Sequence, residues 1–245
     1  MKTVAIIQAR IGSTRLPGKV LRDLVGSTVL SRVVNRVRKF TMVDDVLVAT
    51  SDRSADDSIV NECRRIDVEW FRGNEEDVLD RFAGAARSSD ASVCVRLTAD
   101  CPLLDPGVSD TIISIFLEAN GGVDYASNKI PQSFPRGLDT EVFSIYALGR
   151  AAREARRRYE RAHVTPYIYR HPEMFSLISV TSDVDRADWR WTVDTAEDLD
   201  LVREIYDRLD GSSDFSWQDV LAIIENDPSL MWINSRVQQK EIAEG

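Results

Sequence analysis

The stretch that decides the fold is Val4-Ala5-Ile6-Ile7-Gln8-Ala9-Arg10-Ile11-Gly12-Ser13-Thr14-Arg15-Leu16-Pro17-Gly18-Lys19. Its first four residues are apolar and predict a buried strand, and the polar loop that follows carries two glycines and three cations. Open α/β sheets bind ligands at the carboxyl ends of their strands. Glycine lets a backbone approach a bound group, and Arg and Lys suit a polyphosphate. The loop therefore predicts a phosphate site, although it matches neither G-x-x-x-x-G-K-[ST] nor G-x-G-x-x-G. The alternative is an ordinary strand–loop–helix joint whose cations face water.

Composition and charge narrow the class of protein. The 245 residues are 43% hydrophobic and 29% charged, which is ordinary for a globular protein with one large core. No apolar run approaches the roughly 18 residues that a membrane span needs. The N-terminus lacks a signal-peptide pattern, and the three cysteines lack metal-ligand spacing and suit reduced thiols. We therefore expect a cytoplasmic protein without a membrane partner.

The charge is unevenly distributed along the chain. A net charge of −9 disfavours nonspecific binding of nucleic acid, which needs a broad cationic face. Between Arg10 and Lys39, however, eight Lys or Arg residues stand against the single acid Asp23. This local cationic region in an acidic protein favours a small anionic ligand, although part of it is the solvated face of the next helix.

Alternating short strands and helices up to Ala119 indicate a largely parallel sheet with helices on both faces. After Gly122 we expect mixed or antiparallel strands and a smaller lobe, and from Thr195 a helical C-terminal part. Beyond the first strand, the predicted strands are Val46–Thr50, Val68–Phe71, Val93–Leu97, Asp124–Ser127, Glu141–Ser144, Ser176–Val180 and Arg190–Val193. Ahead of the C-terminal part, the predicted helices are Thr28–Phe40, Ser54–Arg65, Glu75–Ser88 and Pro106–Ala119, with a further arginine-rich one around Arg156–Arg158.

Two carboxylates follow predicted strands. Asp100 comes after Val93–Leu97, and Asp194 comes after Arg190–Val193. Side chains at such ends point into the ligand crevice, and two carboxylates there could hold Mg²⁺, which takes few protein oxygens. The alternative for Asp194 is capping of the helix that begins near Thr195. Taken with the cationic loop, a metal site is the more economical interpretation.

The segment Ser133–Glu141 has the features of a substrate loop. Its Arg136 suits a carboxylate or phosphate through bidentate pairing. His163 could line a substrate pocket or be a hydrogen-bonded structural histidine. Neither histidine lies beside a Ser or Cys nucleophile in a recognisable motif, so a catalytic triad is not expected.

At these residues the sequence resembles the cytidylyltransferase family of CMP-KDO synthetases and acylneuraminate cytidylyltransferases, and most of all its SpsF branch of spore-coat polysaccharide biosynthesis proteins. The segments that carry the resemblance are Ile7–Leu21, Arg96–Pro106, Phe134–Phe143, His163–Tyr169 and Arg190–Leu199. These segments occur along the chain in the same order as in the family, and together they span most of the chain.

The resemblance implies a nucleotide-diphospho-sugar transferase-like (Rossmann-like) three-layer α/β sandwich. It has a mixed, mainly parallel sheet and a small second lobe. We expect one domain over 1–245, with a nucleotide-binding half at about 1–122, an acceptor and dimerisation lobe at about 123–190, and the second metal ligand with C-terminal helices at 191–245. Relatives of this kind are commonly dimers, so we expect a homodimer.

The same resemblance implies CTP and Mg²⁺ as ligands. The implied catalytic residues are Arg10, Lys19, Asp100 and Asp194, with Asp100 and Asp194 as metal ligands. The implied CTP-binding residues are Gln8, Ala9, Arg10, Gly12, Ser13, Arg15, Lys19 and Arg81, of which Gln8 and Ala9 frame the cytosine through their backbone. The expected acceptor-binding residues are Arg136, Asp139, Glu141 and His163.

The leading hypothesis is a CTP-dependent nucleotidyltransferase that activates a KDO-like or nonulosonate-like sugar acid to its CMP derivative for surface polysaccharide biosynthesis. A second hypothesis keeps the enzyme but has a phosphonate or a sugar or polyol phosphate as acceptor. Glycosyl transfer on the same fold is less favoured, because the Asp-x-Asp pairs Asp183-Val184-Asp185 and Asp198-Leu199-Asp200 do not end core strands. A noncatalytic nucleotide-binding module is disfavoured by the presence of both carboxylates and all three loop cations.

Overall fold

A computed structural model describes residues 1–240 of the protein. The strands are β1 (Thr3–Gln8), β2 (Asp45–Ser51), β3 (Glu69–Gly73), β4 (Val93–Thr98), β5 (Tyr125–Ser127), β6 (Glu141–Ser144) and β7 (Leu177–Ser179). The helices are α1 (Val29–Val37), α2 (Asp57–Arg65), α3 (Val78–Ser88), α4 (Pro106–Glu118), α5 (Ile145–Glu154), α6 (Arg158–His163), α7 (Pro166–Tyr169), α8 (Ala196–Arg208) and α9 (Trp217–Asn226). Short 3-10 helices cover Lys19–Leu21, Ser54–Asp56 and Pro228–Trp232.

Within residues 1–240 the seven strands form one sheet in the order β3-β2-β1-β4-β6-β5-β7. Strand β1 lies between β2 and β4 and is parallel to both, whereas β6 is antiparallel to β4 and to β5. The predicted α/β class with a mixed, mainly parallel sheet is therefore confirmed. Strands β5 to β7, which we expected in a smaller lobe, extend this same sheet.

Both faces of β1 are buried, which makes it the centre of the fold. Ala5 and Ile7 pack into the apolar layer that contains α1, α4, α8 and α9. Val4 and Ile6 pack on the opposite face, into the layer of α3 and α5. Successive side chains of a strand point to opposite faces, so a continuous apolar run is what a strand covered on both sides requires. Each fully buried Ile contributes about 1.5–3 kcal/mol.

Polar side chains cap the N-termini of the helices that follow the loops at the end of the sheet. Thr28 caps α1 by accepting a hydrogen bond from the amide of Ser31. Asp105 caps α4 in the same way through Val108, and Thr195 with Asp198 forms a capping box at the start of α8. These caps fix where the loops after β1 and β4 give way to helices.

The prediction of a strand over Arg190–Val193 was wrong. Among the described residues this segment makes only an isolated bridge, between Arg190 and Arg136. The amide of Val193 does not continue this pairing with the segment of Arg136. It donates instead to the carbonyl oxygen of Asp100 at 2.8 Å. Asp194 therefore does not lie at the end of a strand.

No helix in residues 1–240 combines the length and the apolar character needed to cross a bilayer.

Candidate active site

The loop after β1 is held by its own backbone and by one buried acid. The Ile11 amide donates to Oδ1 of Asp56 at 2.8 Å, and the Ile11 carbonyl accepts from the amide of Gly18 at 3.2 Å. Gly18 has a φ of +68°, a conformation that glycine adopts without strain, and it leads into the 3-10 helix that carries Lys19. The glycine thus turns the loop back over the end of the sheet.

Lys19 lies between the two predicted metal ligands. Its Nζ is 2.5 Å from Oδ2 of Asp100 and 2.7 Å from Oδ1 of Asp194. Burial alone would lower the pKa of Lys19, but the two carboxylates outweigh it and raise that pKa. Burial alone would likewise raise the pKa of Asp100, but the Lys19 ammonium lowers it to about 2. Lys19 and Asp100 are therefore both charged at neutral pH.

Backbone contacts bring the two acids together. The Asp100 carbonyl oxygen accepts hydrogen bonds from the Val193 amide at 2.8 Å and from Oγ1 of Thr192 at 3.1 Å. Asp100 itself follows β4, as predicted, so Asp194 is brought to it by this cross-link rather than by a strand of its own.

Arg190 is a site residue to which sequence reasoning gave no role. Its Nη2 donates to Oδ2 of Asp194 at 3.0 Å and to Oδ2 of Asp198 at 3.1 Å. Asp198 is fully buried and also accepts from the amides of Asp194 and Thr195. The Arg190–Asp198 pair thus fixes the direction of the Asp194 carboxylate.

The C-terminal segment reaches the same site. The buried side chain of Asn234 donates to Oδ1 of Asp198 at 2.8 Å and to the carbonyl of Arg190 at 3.0 Å. Beyond it, Gln239 accepts a hydrogen bond from Arg190, and the Gln238 carbonyl accepts from Arg15 at 3.4 Å. Arg15 also lies 2.9 Å from Oδ2 of Asp194, so it contacts the acid that Lys19 contacts.

The other predicted cations are Arg10 and Arg81. Arg10 is exposed, and no hydrogen bond or ion pair to its side chain is formed within residues 1–240. Arg81 is buried and donates through Nη1 to the carbonyl of Asn74 at 2.8 Å, while its Nε and Nη2 find no partner in that range. Burial and then the nearby charge of Arg10 lower the pKa of Arg81. Buried guanidinium N–H groups without partners are uncommon and suit an incoming acceptor.

The remaining predicted nucleotide residues lie along the same loop. Gly12 is exposed, and Ser13 is half-buried with its Oγ accepting from the amide of Leu16 at 3.4 Å. The Ala9 amide donates to the Ala49 carbonyl, and the Gln8 carbonyl accepts from the Ala99 amide. Of the backbone that the resemblance gave to cytosine, these two groups are thus already used within the sheet.

The predicted acceptor loop packs against the segment that carries Arg190. Arg136 donates its amide to the Trp189 carbonyl and accepts from the Trp191 amide at 2.7 Å. Gly137 allows this approach: its φ is +111°, and a Cβ atom there would lie 2.7 Å from the Trp191 carbonyl carbon. The Arg136 guanidinium has no partner within residues 1–240. Residues paired in a bridge point to the same side, so Arg136 lies beside Arg190.

The other predicted acceptor residues differ in accessibility. Asp139 is half-buried and accepts from Nε2 of Gln132 at 2.9 Å. Glu141 is buried, and its oxygens are engaged by Arg96, Tyr125 and Thr165. This placement makes Glu141 a support of the site rather than a group that reaches an acceptor. His163 is half-buried at the end of α6.

The donor set at Asp100 and Asp194 fits a divalent cation that takes few protein ligands. A positive group, the Lys19 ammonium, already lies within hydrogen-bond distance of both carboxylates. Within residues 1–240 no three His, Cys, Asp or Glu side chains are grouped for metal binding. Two carboxylates with phosphate and water oxygens are the usual environment of Mg²⁺.

Comparison with known proteins shows the family to which the chain belongs. Residues 4–215 match the family described as cytidylyltransferase. Uncharacterized protein MJ1063 of Methanocaldococcus jannaschii is 37% identical over 100% of this chain and 99% of its own length. The spore coat polysaccharide biosynthesis protein SpsF of Bacillus subtilis is 34% identical over 91% of this chain and 94% of its own length. A solved cytidylyltransferase from Leptospira borgpetersenii has a TM-score of 0.91 and 31% identity, covering 98% of this chain and 100% of that one.

The family match and the SpsF relative show that the chain is a nucleotidyltransferase. Within that class, the chain belongs to the cytidylyltransferase family.

Proposed function

We propose that this enzyme uses CTP to activate a sugar acid of the KDO or nonulosonate kind, forming its CMP derivative and releasing pyrophosphate. The observation that carries the proposal is the convergence of Asp100 and Asp194 on Lys19 beside the loop after β1. Two acids and several cations gathered beside this loop suit a triphosphate with its metal ion. The name of the SpsF relative, which refers to polysaccharide biosynthesis, supports a sugar as acceptor.

In the proposed reaction an acceptor hydroxyl attacks the α-phosphorus of CTP in line with the leaving pyrophosphate. The new O–P bond forms as the bond to the bridging α–β oxygen breaks, and the hydroxyl proton passes to water. Lys19, Arg15 and Arg10 bind phosphate oxygens, so Lys19 and Arg15 exchange their carboxylate partners for the nucleotide. Asp100 and Asp194 would hold Mg²⁺, which would supply charge neutralisation at the phosphates. The contribution of the protein is positioning and electrostatic stabilisation.

Arg81 and Arg136 serve the two substrates in this proposal. The Nε and Nη2 atoms of Arg81 offer buried N–H groups to the nucleotide. Arg136 presents a planar guanidinium beside Arg190, and a sugar carboxylate matches its two parallel N–H groups. Asp139 and His163 remain proposed acceptor contacts.

A second candidate acceptor is a phosphonate or a sugar or polyol phosphate. The same unpaired Arg136 favours it, because a phosphoryl group also accepts bidentate hydrogen bonds from arginine. Glycosyl transfer through an Asp-x-Asp pair fits the site less well. Asp198 is buried against Arg190 and Asn234, and Asp183-Val184-Asp185 lies outside every strand and helix of the described residues.

The experiment is an assay of pyrophosphate release from CTP and Mg²⁺ with separate panels of sugar acids, phosphonates and sugar or polyol phosphates. The proposal expects turnover with a sugar acid, and Arg136→Met should raise the KM for that acceptor while leaving the KM for CTP near the wild-type value. If only phosphonates or sugar or polyol phosphates are turned over, the proposed sugar-acid acceptor is wrong and the second candidate acceptor is correct. Exposed Arg153 on α5 supplies the matched control, Arg153→Met, which should leave both KM values unchanged.

Homodimer formation and a cytoplasmic location complete the proposal. Tyr146 is 65% exposed and Trp232 is 80% exposed, and such large side chains are common at protein interfaces. Light scattering of the purified chain would measure its mass in solution; a monomer at micromolar concentration would contradict the dimer.

A further inference from the structure

Three neighbouring strands build a buried polar network beside the proposed nucleotide site. In the sheet register Arg96 on β4 pairs with Ile6 on β1 and with Glu141 on β6. Arg96 and Glu141 form a buried ion pair, and Glu141 also accepts from Tyr125 at 2.8 Å and from Thr165. Each oxygen of the buried acid is therefore satisfied, which holds the Arg96 guanidinium in one place.

The Arg96 guanidinium in turn determines how the Gln8 amide is oriented. Nη2 of Arg96 donates to Oε1 of Gln8 at 3.3 Å. An arginine has donors only, so the atom of Gln8 that faces it must be the amide oxygen, and the NH₂ group must point away. Within residues 1–240 that NH₂ group has no hydrogen-bond partner, although Gln8 is half-buried.

Gln8 ends β1, two residues before Arg10 and beside Thr98 of β4. The backbone groups next to it are already used, because the Ala9 amide and the Gln8 carbonyl both bond within the sheet. The Gln8 side chain is one of the polar groups that this end of β1 offers to a ligand, and it offers a donor.

We infer that the Arg96–Glu141 pair orients Gln8 so that its amide NH₂ donates to N3 of cytosine and thereby selects CTP over UTP. This inference rests on the proposed use of CTP. Cytosine has acceptors at N3 and O2, whereas uracil has an N–H at position 3. A fixed donor opposite that position bonds to cytosine and meets another donor on uracil. Gln8 is then a specificity-determining residue, and Arg96 is a positioning residue.

The test measures equilibrium binding of CTP and of UTP by calorimetry in the presence of Mg²⁺, so that no acceptor is needed. The wild-type chain should bind CTP more tightly than UTP. In Gln8→Met the CTP affinity should fall about tenfold while that for UTP stays within about twofold, because a single directed hydrogen bond is lost. Gln8→Glu should lose the preference as well, since its carboxylate still accepts from Arg96 but has no N–H to offer. The matched control is Gln218→Met at an exposed position on α9, which should keep the wild-type ratio.

A second variant tests the positioning role. Arg96→Lys keeps a charge for Glu141 but no longer bridges from Glu141 to Gln8, so the Gln8 amide can rotate and the CTP:UTP ratio should fall. Thermal unfolding of the same sample checks that the variant is folded. A purely structural role for Arg96 would lower the unfolding temperature and leave the ratio unchanged.

The outcomes separate this inference from the proposed function. A wild-type chain that prefers CTP, with the same preference in Gln8→Met, overturns the inference and leaves the function intact. Equal binding of CTP and UTP by the wild-type chain also overturns it. A wild-type chain that binds neither nucleotide contradicts the proposed function itself, and the inference with it.

Discussion

Nζ of Lys19 lies 2.5 Å from Oδ2 of Asp100, so the lysine of the loop after β1 neutralises the acid that follows β4. Because the same ammonium contacts Asp194, both proposed metal ligands are occupied by a side chain of the protein itself. In the proposed mechanism a metal ion and Lys19 would therefore compete for the carboxylates until a nucleotide draws Lys19 away.

This competition predicts coupled binding of metal and nucleotide. Wild-type protein should bind Mg²⁺ weakly alone and more tightly with CTP. In Lys19→Met, which frees Oδ2 of Asp100 and Oδ1 of Asp194, binding of Mg²⁺ without nucleotide should tighten about tenfold, equivalent to roughly 1.4 kcal/mol. Isothermal titration measures both affinities. Arg22→Met removes an exposed cation from the same segment and should behave as wild type. Unchanged Mg²⁺ affinity in Lys19→Met would contradict the competition.

The buried pair of Arg190 and Asp198 should contribute to stability as well as to orientation. Asp198→Asn leaves Arg190 buried with a weaker partner and should lower the free energy of unfolding by about 3–5 kcal/mol. Asp200→Asn is the control in the same helix, because Asp200 is exposed and within residues 1–240 pairs only with Arg203 at the surface. Urea unfolding measures both. Equal stability of the two variants would show that the buried pair does not hold this region.

Glu141 should make stability depend on pH in the acid range. Burial tends to raise the pKa of Glu141, but Lys129, Arg96 and the hydrogen bonds from Thr165 and Tyr125 outweigh it and lower the pKa to about 2. A lowered pKa stabilises the fold fully above the ordinary value of glutamate, and this stabilisation is lost as the pH falls towards 2. The shift is equivalent to about 3 kcal/mol.

The measurement for Glu141 is the free energy of unfolding between pH 5 and pH 2. In that range the wild-type value should rise with pH more steeply than the value for Glu141→Gln, which lacks this titration. Parallel curves would mean that the Glu141 carboxylate is not the group responsible.

Gly137 should tolerate a side chain less well than another glycine with positive φ. Gly137 has a φ of +111° and Gly121 a φ of +84°, but only at Gly137 would a Cβ atom collide with the Trp191 backbone. Gly121→Ala should cost about 1 kcal/mol of backbone strain. Gly137→Ala adds the displacement of the acceptor loop and should cost more, with a raised KM for the acceptor. Equal losses in the two variants would contradict the close packing of this loop on Trp191.

Local patterns were enough to predict the loop after β1 and Asp100. A four-residue apolar run followed by glycines and cations is typical of a buried strand that ends in a polar loop. The apolar residues of β4 likewise indicate a buried strand that ends just before Asp100. The predicted strand at Arg190–Val193 failed because its hydrogen bonds are decided by distant residues, Arg136 and Asp100. The prediction that Asp100 and Asp194 lie close together assumed that each follows a strand, and only Asp100 does.

The supporting residues were harder to find from the sequence. Arg190 stands between Trp189 and Trp191, and a cation within an apolar segment is a signal for a buried ion pair. Its partner Asp198 lies in the first turn of α8, where an acid is ordinary, and it also forms the capping box with Thr195. The partners of Glu141 have no local signal, because Arg96 lies 45 residues earlier and meets it only through the register of β4 and β6.

The measurement that tests the central claim most directly is pyrophosphate release from each of the four ribonucleoside triphosphates with Mg²⁺ and the acceptor panels, for wild type and Asp100→Asn. The account predicts release that depends on CTP, and a loss of about 10²–10³-fold in Asp100→Asn, because a proposed ligand of the metal ion that neutralises the phosphates is weakened. Turnover of Asp100→Asn at the wild-type rate, or a wild-type preference for another nucleotide, would contradict it.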